Sequence, residues 1–494
     1  MVIAMVQVPR ERIRPLNDAP VRGEGAFVLY WMTIHRRLDR NFALQRAVEW
    51  AVRLHRPLLV FEGLRHDYPW ASDRLHRFII EGMADNLQAA AGKPFTYLPW
   101  VDAGDGAGKG LIERLSARAC VVVTDEFPCF FIPGMLAKIG PRLPVAAEAV
   151  DANGLFPLSQ GVLKERAVDF RRQLQYLLPA HLGNFPAVDP TAGIALPRLR
   201  SEDLPVASDI AQLLKPGGMD HLPIDHRVVP VATVGGSRAA RRKLKEFLDQ
   251  KLDRYADDRS DLEADCTSGL APYLHHGHLA VQEVIQAIWD RHGWSPDRLA
   301  VKPNGSKEGW WGLPPGSEGF LDQIITWREL GYHFCHRRPD YGTYGSLPAW
   351  ARSTLDAHAG DPRQHLYDQA AFAGARTHDP LWNAAQRQLV REGTMHNYLR
   401  MLWGKKVLEW SPSPQDAVAT LIELNNRYAL DGRNPNSYSG IMWTFGRFDR
   451  PWAPQRPIFG TIRYMSSDNT ARKMRVTGYL ARYAAEPVRQ ERIF

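Results

Sequence analysis

Three tryptophans, Trp382, Trp403 and Trp410, stand 21 and 7 residues apart in the stretch THDPLWNAAQRQLVREGTMHNYLRMLWGKKVLEW. Seven residues make two helical turns, so Trp403 and Trp410 share one helix face, about 10 Å apart along the axis. Indoles at that spacing are ordinary core packing, and they are also what a relay of electrons to a buried oxidant needs. A second group is Thr267-Ser268-Gly269-Leu270-Ala271-Pro272-Tyr273-Leu274, hydroxyls and small residues ahead of a helix expected to begin near Pro272 or Leu279. Free backbone N–H groups beside Ser/Thr hydroxyls suit a phosphate, and they serve a plain helix cap equally well. The third feature is charge. From Gly440 onward there are ten Lys+Arg against four Asp+Glu, which is six of the formal +8 of the whole chain. Such a stretch is either a solvated tail or a surface for an anionic partner.

The elements that must position these groups follow from hydrophobic patterning. The 494 residues, 45% hydrophobic and 23% charged, suffice for two or three domains with their own cores. The run AFVLYWM, the amphipathic NFALQRAVEWAVRLH and the run PLLVFEG form a β-α-β unit. PFTYLPWV, CVVVTDE and PVAAEAVDA continue the alternation, which predicts an α/β domain over 22–160 with a parallel sheet and helices on both faces. Pro and Gly punctuate 161–235, read as an interdomain connection. From 236 to 494 helical patterns dominate, so all three chemical groups fall in an all-α C-terminal domain. There is no internal repeat. The four cysteines, Cys120, Cys129, Cys266 and Cys335, lack metal-ligand spacing, so no metal site and reduced thiols are expected. No apolar run reaches membrane-spanning length and MVIAMVQVPRERIRPLNDAP lacks the pattern of a signal peptide, so a soluble cytoplasmic protein is expected.

Longer strings are more specific. Thr267 to Leu274, with Tyr255 twelve residues before the threonine, resembles the T-S-x-L-S-P-Y-L signature with which photolyases and cryptochromes hold the FAD pyrophosphate; Ala271 stands where that family usually has serine. The string LNNRYALDGRNPNSYSGIMW and the later RPIFGTIRYM resemble class II cyclobutane pyrimidine dimer photolyases, as does W-x-K-K-x-L-E-W. VLYWMTIHRRLDRNFAL and VDANGLFPLSQ carry the likeness more weakly into the N-terminal half. The resemblance implies a Rossmann-like antenna domain followed by a helical FAD-binding domain. It implies that Tyr255, Thr267, Ser268, Gly269, Leu270 and Ala271 hold FAD, that Arg400 and Asp431 flank the isoalloxazine, and that Asn425 faces its redox-active nitrogen. An amide can donate to or accept from a nitrogen that gains a proton, and a guanidinium favours an anionic reduced ring. Taken singly, a buried asparagine or a structural ion pair explains these residues too. The resemblance also implies a relay with Trp403 nearest the flavin, Trp382 in the middle and Trp410 outermost.

The same family binds UV-damaged DNA. By resemblance, Trp327 and Trp443 form a wall on which a flipped dimer stacks, Met401 lies beneath it, and Asn397 contacts the lesion. Arg463 fills the gap left in the duplex and Arg450 meets a phosphate, although any one surface arginine is ordinarily just solvated. Stacking on indole offsets the few kcal/mol that extruding a damaged base costs. One position departs from the pattern. Class II enzymes carry a glutamate four residues before the tryptophan, hydrogen-bonded to the dimer carbonyl, where this chain has Gln323. Glutamine can donate a hydrogen bond but supplies neither proton nor negative charge. The implied activity is therefore deoxyribodipyrimidine photo-lyase, with reduced FAD passing an electron to the dimer under blue or near-UV light. A cryptochrome-like photoreceptor and a six-four photoproduct photolyase are the alternatives that Gln323 raises. Many relatives also hold an antenna, often a deazaflavin, in the N-terminal domain. A monomer is expected.

Overall fold

In the computed structural model, which describes residues 7–200 and 204–485, the apolar runs of the N-terminal half pair into one six-stranded sheet. Its strands are β1 (Ile13–Pro15), β2 (Phe27–Met32), β3 (Leu58–Leu64), β4 (Thr96–Val101), β5 (Ala119–Asp125) and β6 (Ala147–Val150), in spatial order β1-β6-β5-β2-β3-β4. All neighbours are parallel except the short edge strand β1, which runs antiparallel to β6. β2 is buried along its whole length because both faces of a parallel sheet are covered. Val28, Tyr30 and Met32 pack with Phe42 and Val48 of the Phe42–Leu54 helix. Phe27, Leu29 and Trp31 belong to a second core that contains Phe78 and continues into the helical half.

The domain seam is polar and closely fitted. Asp125, at the end of β5, accepts from the backbone of Thr33, Ile34 and His35 and so shapes the loop after β2. From that loop the buried Arg37 donates to Gly277 O of the helical half, 3.0 Å away. Gly277 has φ 70°, and a Cβ there would stand 2.2 Å from Ile34 O. Farther along the seam, Glu329 accepts from Leu155 N at 2.8 Å, Gln282 donates to Gly154 O at 2.8 Å, and Arg328 donates to Asn153 O. The string VDANGLFPLSQ is thus the strip on which the helical half sits.

That half begins with the Ser237–Gln250 helix. Its centre is built from the helices Arg328–Arg337, Pro380–Glu392, Asn397–Trp410, Pro414–Tyr428 and Pro435–Thr444. Each of the last four starts on a side chain that accepts a backbone N–H: Asp379, His396, Ser413 and Asn434. Between the halves, the Ala167–Leu177 helix is tied to the helical half through Arg171 and Asp322, 2.7 Å apart. Among the described residues no helix is long and apolar enough to cross a membrane.

Burial raises the Glu329 carboxyl to about 7 from an ordinary 4.5. The folded chain then holds a proton that the unfolded chain releases, so this group's stabilisation is complete below pH 4.5 and lost as pH rises through 7. Thermal unfolding at pH 5 and pH 8 checks it. The native chain should lose on the order of 2 kcal/mol from this group across that interval, and Glu329→Gln should not.

Candidate active-site cavity

A cavity of about 1020 Å³ lies in the helical half, at the upper end of the roughly 300–1,000 Å³ typical of ligand sites. Thr267, Ser268, Gly269, Leu270 and Ala271 line one part of it, together with Tyr255. The helix after this loop begins at Ala271 and runs only to His275, and a second starts at Val281, so the entry lies slightly ahead of the expected Pro272 or Leu279. Gly269 takes φ 65°, where a side chain would be strained. Ser268 Oγ accepts from Leu270 N at 3.3 Å. Lys243, Lys251 and Arg259 line the same cavity; none of the three was singled out in the sequence. Cations, hydroxyls and turn N–H groups together make a surface for a diphosphate.

Arg400, Asp431 and Asn425 also line the cavity. Arg400 and Asp431 are paired at 3.2 Å. Asn425 is buried and donates to Asn426 Oδ1 at 3.2 Å. Asn426 is itself held by Arg433 N and Tyr438 Oη, at 2.7 and 3.2 Å, so the orientation of Asn425 is set from behind. His396 Nε2, on a residue lining the cavity, is buried with no partner. The volume, the cationic part and these polar groups fit a dinucleotide such as FAD. Among the described residues no group of three or more His, Cys, Asp or Glu could hold a metal.

Trp403 lines the cavity, whereas Trp382 and Trp410 lie behind it, and all three are buried. Trp382 comes from the neighbouring helix and stands between the other two. Its ring centroid is 6.5 Å from Trp403, nearly parallel at 9°, and 6.0 Å from Trp410 at 67°. Trp382 Nε1 donates to Trp403 O at 3.1 Å and Trp403 Nε1 to Gln386 Oε1 at 2.9 Å. Beyond Trp410 are His378, exposed, and Tyr367, half-buried, with centroids at 4.8 and 5.8 Å. The outward order is Trp403, Trp382, Trp410, then the surface.

The remaining predicted residues divide. Gln323, Trp327, Asn397, Met401 and Trp443 line the cavity. Gln323 and Trp327 lie on a π-helical turn, Asp322–Trp327, a device that re-aims side chains and recurs at functional sites. Arg450 and Arg463 do not line it. Their guanidiniums lie 4.5 and 4.0 Å from the Trp452 ring centroid, and Arg463 is also 5.8 Å from that of Trp443. Trp452 was missed in the sequence reading because one more tryptophan in a Pro-rich loop carries no periodicity. Part of the basic C-terminal stretch, 486–494, lies outside the described residues.

No protein-family model matches the chain. It is 33% identical over 477 residues to a deoxyribodipyrimidine photo-lyase from Methanothermobacter thermautotrophicus, covering 96% of this chain and 98% of that one. It is 32% identical to a deoxyribodipyrimidine photo-lyase from Oryza sativa subsp. japonica, covering 92% and 87%. Among solved structures, a bacterial class III photolyase from Agrobacterium tumefaciens superposes with a TM-score of 0.66 at 19% identity, covering 93% and 86%, which shows a shared fold.

Trp382 is fully buried between its two neighbours. Trp382→Ala should therefore lower stability by about 3–5 kcal/mol, as truncation of a core tryptophan does. Trp382→Phe, which keeps a ring but loses the N–H, should lose clearly less. Denaturant unfolding of both variants checks this.

Proposed function

Because the chain belongs to the deoxyribodipyrimidine photo-lyase family, we propose that it is a class II-type enzyme that binds FAD and splits cyclobutane pyrimidine dimers in UV-damaged DNA under light. The observation that carries the reading is one cavity lined by the 267–271 loop, the Arg400–Asp431 pair, Asn425, the inner end of a tryptophan chain and two candidates for base stacking, Trp327 and Trp443. The four cysteines are buried and unpaired, which suits a reducing cytoplasm.

When bound, FAD supplies a light-excitable one-electron donor. Thr267, Ser268 and the backbone from Gly269 to Ala271 hold its diphosphate. Arg400 offsets negative charge on the reduced ring, and Asp431 fixes Arg400. Asn425 would offer the bound ring a hydrogen bond as donor or acceptor. Trp403, Trp382 and Trp410 would relay an electron inward one after another, with Trp410 at the outer end re-reduced by a thiol or other reductant in solution. Trp327 and Trp443 receive the flipped dimer with Met401 beneath, while Gln323 and Asn397 bond its polar edges. Arg463 and Arg450, resting on Trp452, meet the DNA around the gap. An antenna of deazaflavin type in the α/β domain belongs to the same reading.

Gln323 favours a second one. An amide can hydrogen-bond a lesion but cannot protonate it, so a six-four photoproduct photolyase or a cryptochrome-like photoreceptor follows if dimer repair fails. The test illuminates the reduced protein with DNA carrying a defined thymine dimer or a six-four lesion. Light-dependent loss of the dimer is expected, faster in Gln323→Glu. Loss of the six-four lesion alone selects the second repair activity, and loss of neither leaves the photoreceptor. In the oxidised protein, Trp403→Phe should slow photoreduction at least about tenfold.

A further inference from the structure

Lys405 is a lysine with no exposed surface. Its Nζ donates to Thr444 O at 2.5 Å and lies 5.1 Å from the Trp443 ring centroid. Thr444 ends the Pro435–Thr444 helix, so this carbonyl is one that a helix leaves without an internal partner. The Asn397–Trp410 and Pro435–Thr444 helices touch at this level: a Cβ on Gly404 would stand 2.5 Å from Thr444 Cγ2. Among the described residues Lys405 makes no ion pair. The acid that bears on it, Asp449, is paired with Arg463 at 3.1 Å.

An ammonium buried against one neutral carbonyl and one ring is costly to hold, and a methionine would fill the space without that cost. The charge therefore needs another reason, and its two contacts give one, since both bear on the element that presents Trp443 to the cavity. We infer that Lys405 is a positioning residue for the stacking wall, clamping the end of the Trp443 helix by its last carbonyl and the indole by its charge. The inference rests on the reading of Trp443 as the surface that receives a flipped base. A clamped indole loses less rotamer freedom when a base stacks on it, so the clamp strengthens lesion binding before any light is absorbed.

Burial brings the Lys405 ammonium down to about 7, with Asp449 pulling the other way and Arg463 adding to the fall. Below neutrality the clamp is charged; above it the pull of the charge on the indole is lost and the neutral amine keeps only a weaker hydrogen bond to Thr444 O. The other charged groups around it are committed elsewhere. On its own helix Lys406 pairs with Glu409 at 2.7 Å and Arg400 with Asp431. From the Pro380–Glu392 helix the neutral Gln386 bonds Trp403, and the Pro414–Tyr428 helix turns the neutral Asn425 to the cavity. His396, which lines the cavity, is lowered from 6.5 by burial, which favours its neutral form.

The test is dark equilibrium binding of the flavin-loaded protein to a duplex with one thymine dimer and to the same duplex intact, from pH 6.5 to 8.5 at constant ionic strength. The ratio of the two affinities removes the general effect of pH on DNA binding. It should fall about threefold across the range in the native chain. In Lys405→Met it should be flat and no higher than the native value at pH 8.5. Trp443→Phe, whose ring is a poorer partner for a cation, should also make the fall with pH smaller with Lys405 intact, which keeps the test open if Lys405→Met does not fold. A native dimer preference that is unchanged with pH, or a Lys405→Met profile like the native one, overturns the role of Lys405. Absence of dimer preference at every pH overturns the reading of the wall, and Lys405 with it.

Discussion

Two buried indole N–H groups govern the helical half. An N–H sealed from water must find an acceptor, at a penalty of about 1–3 kcal/mol if it does not. Trp382 finds the carbonyl of Trp403, and Trp403 finds Gln386, so each tryptophan is satisfied by the other's helix. The two bonds allow little rotation of the Asn397–Trp410 helix about its axis. With that rotation set, Asn397, Arg400, Met401 and Trp403 turn to the cavity, Lys405 turns to the Trp443 helix, and Trp410 faces outward toward His378. The order of the three tryptophans, the place of the Arg400–Asp431 pair at the cavity and the contact of Lys405 with Trp443 are thereby consequences of one helix pairing.

Another part of the cavity lining depends on the α/β domain. A single segment, 322–329, does both jobs. Gln323 and Trp327 point into the cavity, while Asp322 is held by Arg171 and Glu329 by the backbone after Asn153. The π turn reconciles these demands, because an extra residue in one turn lets neighbours in sequence face different ways. The sheet domain thus braces the segment that brings Gln323 and Trp327 to the cavity.

The sheet was legible because its inner strands are buried on both faces and read as unbroken apolar runs. β1 was not, since three residues ending in proline carry no strand pattern. The tryptophan spacing placed Trp403 and Trp410 on one helix face, but that Trp382 stands between them is a tertiary fact with no trace in helical periodicity. The loop at Thr267 was legible as a cap or a phosphate site. The lysines that line the cavity with it come from the Ser237–Gln250 helix and its end, where they read as ordinary surface residues. Lys405 sits in a string that is plain in the sequence, yet nothing in the string says that this lysine, unlike Lys406, has no carboxylate partner. A π turn has no propensity signature, so the aim of Gln323 is set by the fold and not by local sequence.

The central claim is that one cavity brings a reduced flavin and a flipped dimer within electron-transfer distance. The fluorescence lifetime of the reduced flavin, measured with and without DNA, tests it most directly. Duplex carrying a thymine dimer should shorten the lifetime severalfold, and the intact duplex should leave it unchanged. A lifetime that dimer-containing DNA does not alter, at concentrations where that DNA is bound, would contradict the account.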